Sequence, residues 1–156
     1  MRNRTRTRTL ACLITAISAT AVTVAATPAA QAATGSVHLA KIYYNSPGKD
    51  TRSNASLNAE WVTITNSTST ARSLKGWTLT DASNHKYTFG TFTLGAGKTV
   101  KVHTGSGNDT SANKFQDRRA YVWNNDKDTA TLRKSTGAKV DTCSYNTSTA
   151  VVSKTC

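Results

Sequence analysis

The sequence predicts an all-β fold, a sandwich built from eight or nine short strands. Apolar residues alternate with polar ones in short runs, which is the period of a strand that buries one face. Clusters of Gly, Asn, Asp and Ser recur about every 8–12 residues between these runs. Threonine is abundant, and β-branched side chains suit a pleated surface, whereas no stretch after the first 33 residues has a helical period.

Length and composition limit the class of protein. The chain has 156 residues, with 20 Lys and Arg against 8 Asp and Glu, so its formal net charge is +12. That length allows one ordinary domain, and 37% hydrophobic residues argue against wholesale disorder. The sequence has no heptad run, no collagen repeat and no polytopic membrane pattern, which excludes those three classes.

The first 32 residues predict a secretory signal peptide. Four arginines within residues 2–8 precede an apolar stretch at 10–26, and Ala30-Gln31-Ala32 follows as a small-x-small cleavage site. A membrane anchor is the alternative, because the stretch approaches the ~20 residues that span a bilayer. Its Ala and Thr content and the cleavage site favour removal after Ala32. We therefore expect a secreted, extracellular chain without a membrane anchor.

Cleavage changes both the charge and the cysteine count. It leaves 16 Lys and Arg against 8 acidic residues, a net charge of +8, and it removes Cys12. Two cysteines in an exported chain, Cys143 and Cys156, predict one disulfide that holds a C-terminal tail, residues 147–156. Metal binding is the weaker interpretation, because two cysteines without a neighbouring His or Cys cannot complete a zinc site.

The first half of the predicted domain contains the clearest strands. Residues 60–66 place Val62 and Ile64 on one face and Trp61 on the other, with Glu60 in phase with the apolar side. An earlier strand is expected at 37–43, and turn residues continue from it to about Asn58. Further short strands are expected at 76–81, 87–89, 92–94 and 100–102, separated by polar turns.

The second half predicts three more strand-like runs, at 121–123, 129–134 and 139–145. A polar loop at 105–112 precedes them, and turns at 124–128 and 135–138 separate them. Val140 is the clearest inward residue of the last run. The residues expected to form one core are Leu39, Ile42, Val62, Ile64, Leu74, Trp77, Leu79, Tyr87, Phe89, Phe92, Val100, Val102, Val122, Trp123, Ala130, Leu132 and Val140.

Five sequence motifs, in their order along the chain, carry a family resemblance. They are EWVTITN at 60–66, LKGWTLTD at 74–81, YTF with FTLGAGKTV at 87–100, VWNNDKDTATL at 122–132 and GAKVD at 137–141. This order resembles the lamin-tail domain, an immunoglobulin-like module of nuclear lamins and of many exported bacterial proteins. The resemblance implies an immunoglobulin-like β-sandwich over residues 33–146. It also implies an accessory or binding module of the secreted bacterial type, whose shared residues build the scaffold. For lamins it implies protein partners and DNA, and neither role transfers to a named residue here.

No catalytic, metal or cofactor site is expected. His38, His85 and His103 are isolated, without a recognisable ligand pattern, and we expect two strand residues and one turn residue. Asp126-Lys127-Asp128 is interpreted as a turn and not a calcium loop, because the Gly and the distal Glu that an EF-hand loop requires are missing. Glu60 is expected to point inward, where a lone carboxylate needs an ion pair or backbone donors.

Basic and aromatic residues supply the binding hypothesis. Lys and Arg can contact phosphates in a salt-dependent way, and aromatic rings can stack on bases or sugars. Arg133 and Lys134 are consecutive in a predicted strand, where they would point to opposite faces, and this favours an ordinary solvated surface. The candidate binding residues are Lys114, Arg118, Arg119, Arg133, Lys134, Trp61 and Tyr121.

The function predicted from these observations is a secreted, monomeric, non-enzymatic module for extracellular interaction. Its candidate partners are anionic polymers, either DNA or cell-wall polyanions, and extracellular proteins. Two alternatives stay open. One is a secreted hydrolase such as a nuclease, and the other is a protein-docking or protease-inhibitor module.

Overall fold

The computed structural model describes residues 35–147 and 151–156. The predicted signal peptide at 1–32 lies outside the described residues. The elements, in chain order, are β1 (Val37–Tyr43), α1 (Asn54–Asn58), β2 (Trp61–Asn66), β3 (Arg72–Ser73), β4 (Thr78–Thr80), β5 (Lys86–Thr88), β6 (Thr93–Leu94), β7 (Thr99–His103), β8 (Asn113–Phe115), β9 (Lys127–Arg133), β10 (Lys139–Asn146) and β11 (Ser153–Thr155).

Two large sheets enclose one hydrophobic core, which confirms the predicted all-β sandwich. One sheet has the strand order β11-β1-β2-β7-β8 and the other the order β10-β9-β4-β5, while β3 and β6 form a small separate pair. Most of the expected inward residues are buried between the sheets. The remaining four, Trp77, Tyr87, Phe92 and Val140, are partly buried against that core.

A β-bulge in β10 leaves one expected inward residue only partly buried against the core. The register shifts between Lys139 and Asp141, so Val140 is only half-buried. Cys143 and Tyr145 are the buried side chains of this strand instead. A bulge changes which face each following residue occupies, and no sequence period reveals it.

Several short elements differ from the sequence-based expectation. Residues 54–58, expected as loop, form α1, whose N-cap Ser53 accepts a hydrogen bond from the Ser56 amide. Residues 121–123, expected as a strand, belong to no strand, and the unpredicted β8 pairs in parallel with β7. Within the part of the chain that the structure describes, no helix is long and apolar enough to cross a membrane.

The Cys143–Cys156 disulfide joins the two sheets. Cys143 lies in β10 of the four-stranded sheet, and Cys156 directly follows β11 at the edge of the five-stranded sheet. The amide of Cys156 also donates to the carbonyl of Ala40 at 2.9 Å. The predicted disulfide is thus confirmed, and it does more than hold a tail, since it cross-links the layers of the sandwich.

Candidate functional site

Buried carboxylates in this protein serve the scaffold. Glu60 is fully buried, and its Oε1 accepts hydrogen bonds from the amides of Val122, at 3.0 Å, and Trp123. Burial raises the pKa of Glu60 to about 8, although these two amides act in the opposite direction. The expectation of an inward Glu60 that accepts backbone hydrogen bonds is confirmed, and this explains why residues 121–123 need no strand partner.

Asp128 has the same kind of role. It is buried, its Oδ1 accepts from the amides of Ala82 and Thr129, and its Oδ2 accepts from the amide of Asn124. The turn interpretation therefore holds for the irregular residues 124–126 but is wrong for Lys127 and Asp128, which begin β9. Asp141, half-buried in β10, likewise accepts from the amide of Leu39 in β1 at 2.8 Å and so connects the two sheets.

The basic side chains are, by contrast, almost all without a carboxylate partner. Two ion pairs within 4 Å occur among residues 35–147 and 151–156: His85 with Asp81, at 2.7 Å, and Lys114 with Asp109, at 3.3 Å. His85, which is isolated in the sequence pattern, thus pairs with a carboxylate four residues earlier. The same residues include no group of three or more His, Cys, Asp or Glu that could hold a metal ion. The basic side chains of the described residues are therefore mostly not neutralised by a neighbouring carboxylate.

Trp61, one of the predicted stacking residues, has its ring engaged by its own sheet. It lies half-buried on the outer face of β2, and the ring of Tyr43 stacks on it with centroids 5.3 Å apart. From β7, on the other side of β2, Lys101 places its Nζ 4.2 Å from the centre of the indole. These contacts leave little ring face for a ligand.

Tyr121 and Lys114 also have partners within the protein. The Tyr121 hydroxyl lies 2.6 Å from Ser56 Oγ, so this tyrosine anchors the segment that carries α1. The Lys114 side chain is 12% exposed, pairs with Asp109, and lies over the ring of Phe92 at 4.6 Å. The candidate basic residues at 114–119 are therefore divided, since Arg119 is exposed whereas Lys114 is held by Asp109 and Phe92.

Arg133 and Lys134 line the same groove. β9 ends at Arg133 and Lys134 begins the following turn, so the expectation that they point to opposite faces is wrong. The groove, of about 410 Å³, lies on the outer face of the four-stranded sheet, and Lys86 of β5 joins them at its rim. Arg118 is close to the same edge, because its Nη2 donates to the carbonyl of Lys86 at 3.0 Å.

Threonines form the floor of this groove. Thr78 and Thr80 of β4 and Thr131 of β9 are half-buried on the outer face, and Thr80 is paired with Thr131 in register. These threonines and Lys86 are not among the binding residues predicted from the sequence. Their signal was available in the alternation, since Thr78 and Thr80 flank the inward Leu79 and Lys86 precedes the inward Tyr87. The strand order that brings these residues together cannot be read from the sequence.

One wall of the groove depends on a glycine contact. Gly76 has φ +75°, and a Cβ placed there would lie 2.9 Å from Ser135 Cβ. Gly137, in the opposing turn, has φ +83°, and a Cβ added to it would meet no atom within 4 Å, so its replacement measures backbone strain alone. We expect Gly76→Ala to destabilise the protein by about 2–3 kcal/mol and Gly137→Ala by about 1 kcal/mol, measured by urea unfolding. Equal losses of stability in the two variants would contradict the close contact between residue 76 and Ser135.

Comparison with known protein families finds a match that covers most of the chain. A family model described as Lamin Tail Domain matches residues 30–147. No curated protein matches the chain. The matched segment includes both sheets apart from β11, and it contains every residue of the groove.

Proposed function

The chain belongs to the lamin tail domain family, and from this premise we propose that it is a secreted, non-catalytic module that binds anionic polymers through the groove of the four-stranded sheet. The observation that carries the proposal is the contrast between buried acidic residues and basic residues that have no carboxylate partner. Of eight acidic residues, Glu60, Asp81 and Asp128 are buried. Of sixteen Lys and Arg in the same described part, Lys114 is the one with an ion pair.

Convergence in space supports the groove as the binding surface. Lys86, Arg133 and Lys134 come from two strands and a turn, yet they border one concave surface. Asp81, the acid that borders it, is buried and held by the amide and ring of His85. Such an arrangement attracts anions and concentrates them at the groove. The guanidinium of Arg133 uses one donor on the carbonyl of Gly137 and retains others for a ligand oxygen.

Export is a second part of the proposal. The leader-like residues 1–32 favour secretion, and the Cys143–Cys156 disulfide is of the kind that persists in oxidising compartments. These two features support the secreted bacterial type of the family and an extracellular partner. A hydrolase remains the rival function, but Oε1 of Glu60 and both carboxylate oxygens of Asp128, the carboxylates it would need, already accept hydrogen bonds from backbone amides.

The binding test removes the three groove cations together. We expect Lys86→Ala/Arg133→Ala/Lys134→Ala to weaken binding to heparin roughly 100-fold at ~0.1 M salt, at about 1 kcal/mol per cation. The slope of log affinity against log salt should fall by about 3 in magnitude. Isothermal titration at several salt concentrations measures both quantities.

A matched control removes the same charge elsewhere. Lys49→Ala/Arg72→Ala/Lys98→Ala also deletes two lysines and one arginine, all exposed and outside the groove. We expect this variant to keep most of the affinity of the native protein. Equal losses of heparin affinity in the two variants would contradict binding through the groove and would indicate a diffuse basic surface instead. Plasmid cleavage by the native protein that disappears in Asp128→Asn would instead support the hydrolase.

A further inference from the structure

The three floor threonines of the groove have hydroxyl groups without a partner. No hydrogen bond within residues 35–147 and 151–156 uses Oγ1 of Thr78, Thr80 or Thr131. Other outward-facing threonines are different: on the same sheet Thr129 Oγ1 lies 2.8 Å from Ser144 Oγ, and on the five-stranded sheet Thr65 Oγ1 lies 2.7 Å from Thr99 Oγ1. The floor therefore presents a row of hydroxyls that can donate to, or accept from, a ligand.

The cations stand on either side of this floor. Lys86 lies on β5 and Arg133 on β9, and β4 separates them. In register, Thr80 is opposite Lys86 and Thr78 is opposite Arg133. Two strand spacings of ~4.8 Å, with an offset of two residues along β4, put the backbones of Lys86 and Arg133 roughly 12 Å apart. A linear ligand that crosses the groove would thus meet cations at both rims and hydroxyls between them.

From this layout we infer that the groove selects polyanions whose anionic groups are separated by hydroxyl-bearing carbons, such as polyol phosphates. The inference rests on the proposed function and narrows its ligand. Anionic groups pair with Lys86 and Arg133, while the intervening hydroxyls exchange hydrogen bonds with Thr80 and Thr131. The groove favours such a chain because every polar group of the repeat then has a partner.

Single-stranded nucleic acid fits this groove less well. Its sequence-independent binding sites combine cations with aromatic side chains on which bases stack. None of the described residues that line the groove is aromatic. Of the two aromatic residues predicted to stack, Trp61 is on the other sheet and already contacts Tyr43 and Lys101, and the Tyr121 hydroxyl is hydrogen-bonded to Ser56. Bases crossing the threonine floor would bury hydroxyls against ring surfaces without compensation.

The experiment compares two phosphodiester chains of equal phosphate number, a poly(ribitol phosphate) 12-mer and oligo(dT) with 12 phosphates. We expect the native protein to bind the ribitol polymer at least 10-fold more tightly in anisotropy titrations at ~0.1 M salt. Thr80→Val/Thr131→Val removes two hydroxyls but no charge. It should abolish that preference, because the affinity for the ribitol polymer should fall about 10-fold. Thr63→Val/Thr65→Val, on the other sheet, is the matched control and should keep the preference.

The outcomes separate this inference from the function on which it rests. The native protein could bind both polymers equally while Lys86→Ala/Arg133→Ala/Lys134→Ala, the triple variant, loses affinity for both. In that case the polyol inference is wrong and polyanion binding through the groove stands. Tighter binding of oligo(dT), or an unchanged preference in Thr80→Val/Thr131→Val with a folded spectrum, also overturns the inference. If the triple variant binds both polymers as the native protein does, the proposed function itself fails.

Discussion

Replacing Glu60 by glutamine is expected to remove a pH-dependent loss of stability that we expect of the native protein between about pH 4.5 and pH 8. The folded-state pKa of Glu60, about 8, lies above its ordinary value of 4.5 because burial disfavours the carboxylate. A raised pKa means that the stabilising proton is fully bound below pH 4.5 and is lost as the pH rises toward 8. At ~1.4 kcal/mol per pH unit, the loss is on the order of 5 kcal/mol.

Glutamine keeps the structural contacts of Glu60 while eliminating its titration. Its carbonyl oxygen can still accept from the amides of Val122 and Trp123, so residues 121–123 stay in place. We expect the free energy of unfolding of Glu60→Gln, from urea titrations, to exceed that of the native protein at pH 9 and to approach it near pH 5. The exposed Asp117→Asn is the control and should follow the native curve. A constant difference between native protein and Glu60→Gln across this range would contradict the role of the buried proton.

Loss of the disulfide is expected to be the second large effect. Cys156 is exposed, so Cys156→Ser removes the cross-link without creating a cavity in the core. The bond closes a loop with a sequence separation of 13 residues, for which the chain-entropy model gives roughly 3 kcal/mol. Urea unfolding of the variant should show that loss. Hydrogen exchange should also quicken in β11, since its edge position then depends on pairing with β1 alone.

Two comparisons check that the cross-link is responsible. Reduction of the native protein should lower its stability by the same amount, and Cys143→Ala/Cys156→Ser should add only the cost of removing the Cys143 thiol from the core. Free thiols in the native protein, or an unfolding free energy of Cys156→Ser equal to that of the native protein, would contradict the inter-sheet role.

Much of the scaffold was predictable because it depends on local alternation. Val62 and Ile64 point inward, Trp61 points outward, and Glu60 follows the inward phase, as the strand period requires. The five motifs made the family resemblance visible from the sequence alone, and the match over residues 30–147 confirms the family. The bulge at Val140 and the short helix α1 were not predictable, because a one-residue register shift and a five-residue helix have no detectable period.

The candidate site was only partly predictable, since it depends on which strands are neighbours. Arg133 and Lys134 were recognised as basic, but the end of β9 between them decides that both border one groove. Lys86 was overlooked because it is distant from them in sequence and reaches the groove through the order β9-β4-β5. Trp61 had the right residue type for stacking, and its engagement by Tyr43 and Lys101 follows from cross-strand register alone.

The most direct test of polyanion binding through the groove is amide chemical-shift mapping during titration with poly(ribitol phosphate). We predict that the largest shifts fall at residues 76–86 and 131–137, which border the groove on the four-stranded sheet. The shifts should disappear in Lys86→Ala/Arg133→Ala/Lys134→Ala. Shifts centred on Trp61 and Lys101 of the five-stranded sheet, or spread evenly over all exposed lysines, would contradict binding through the groove.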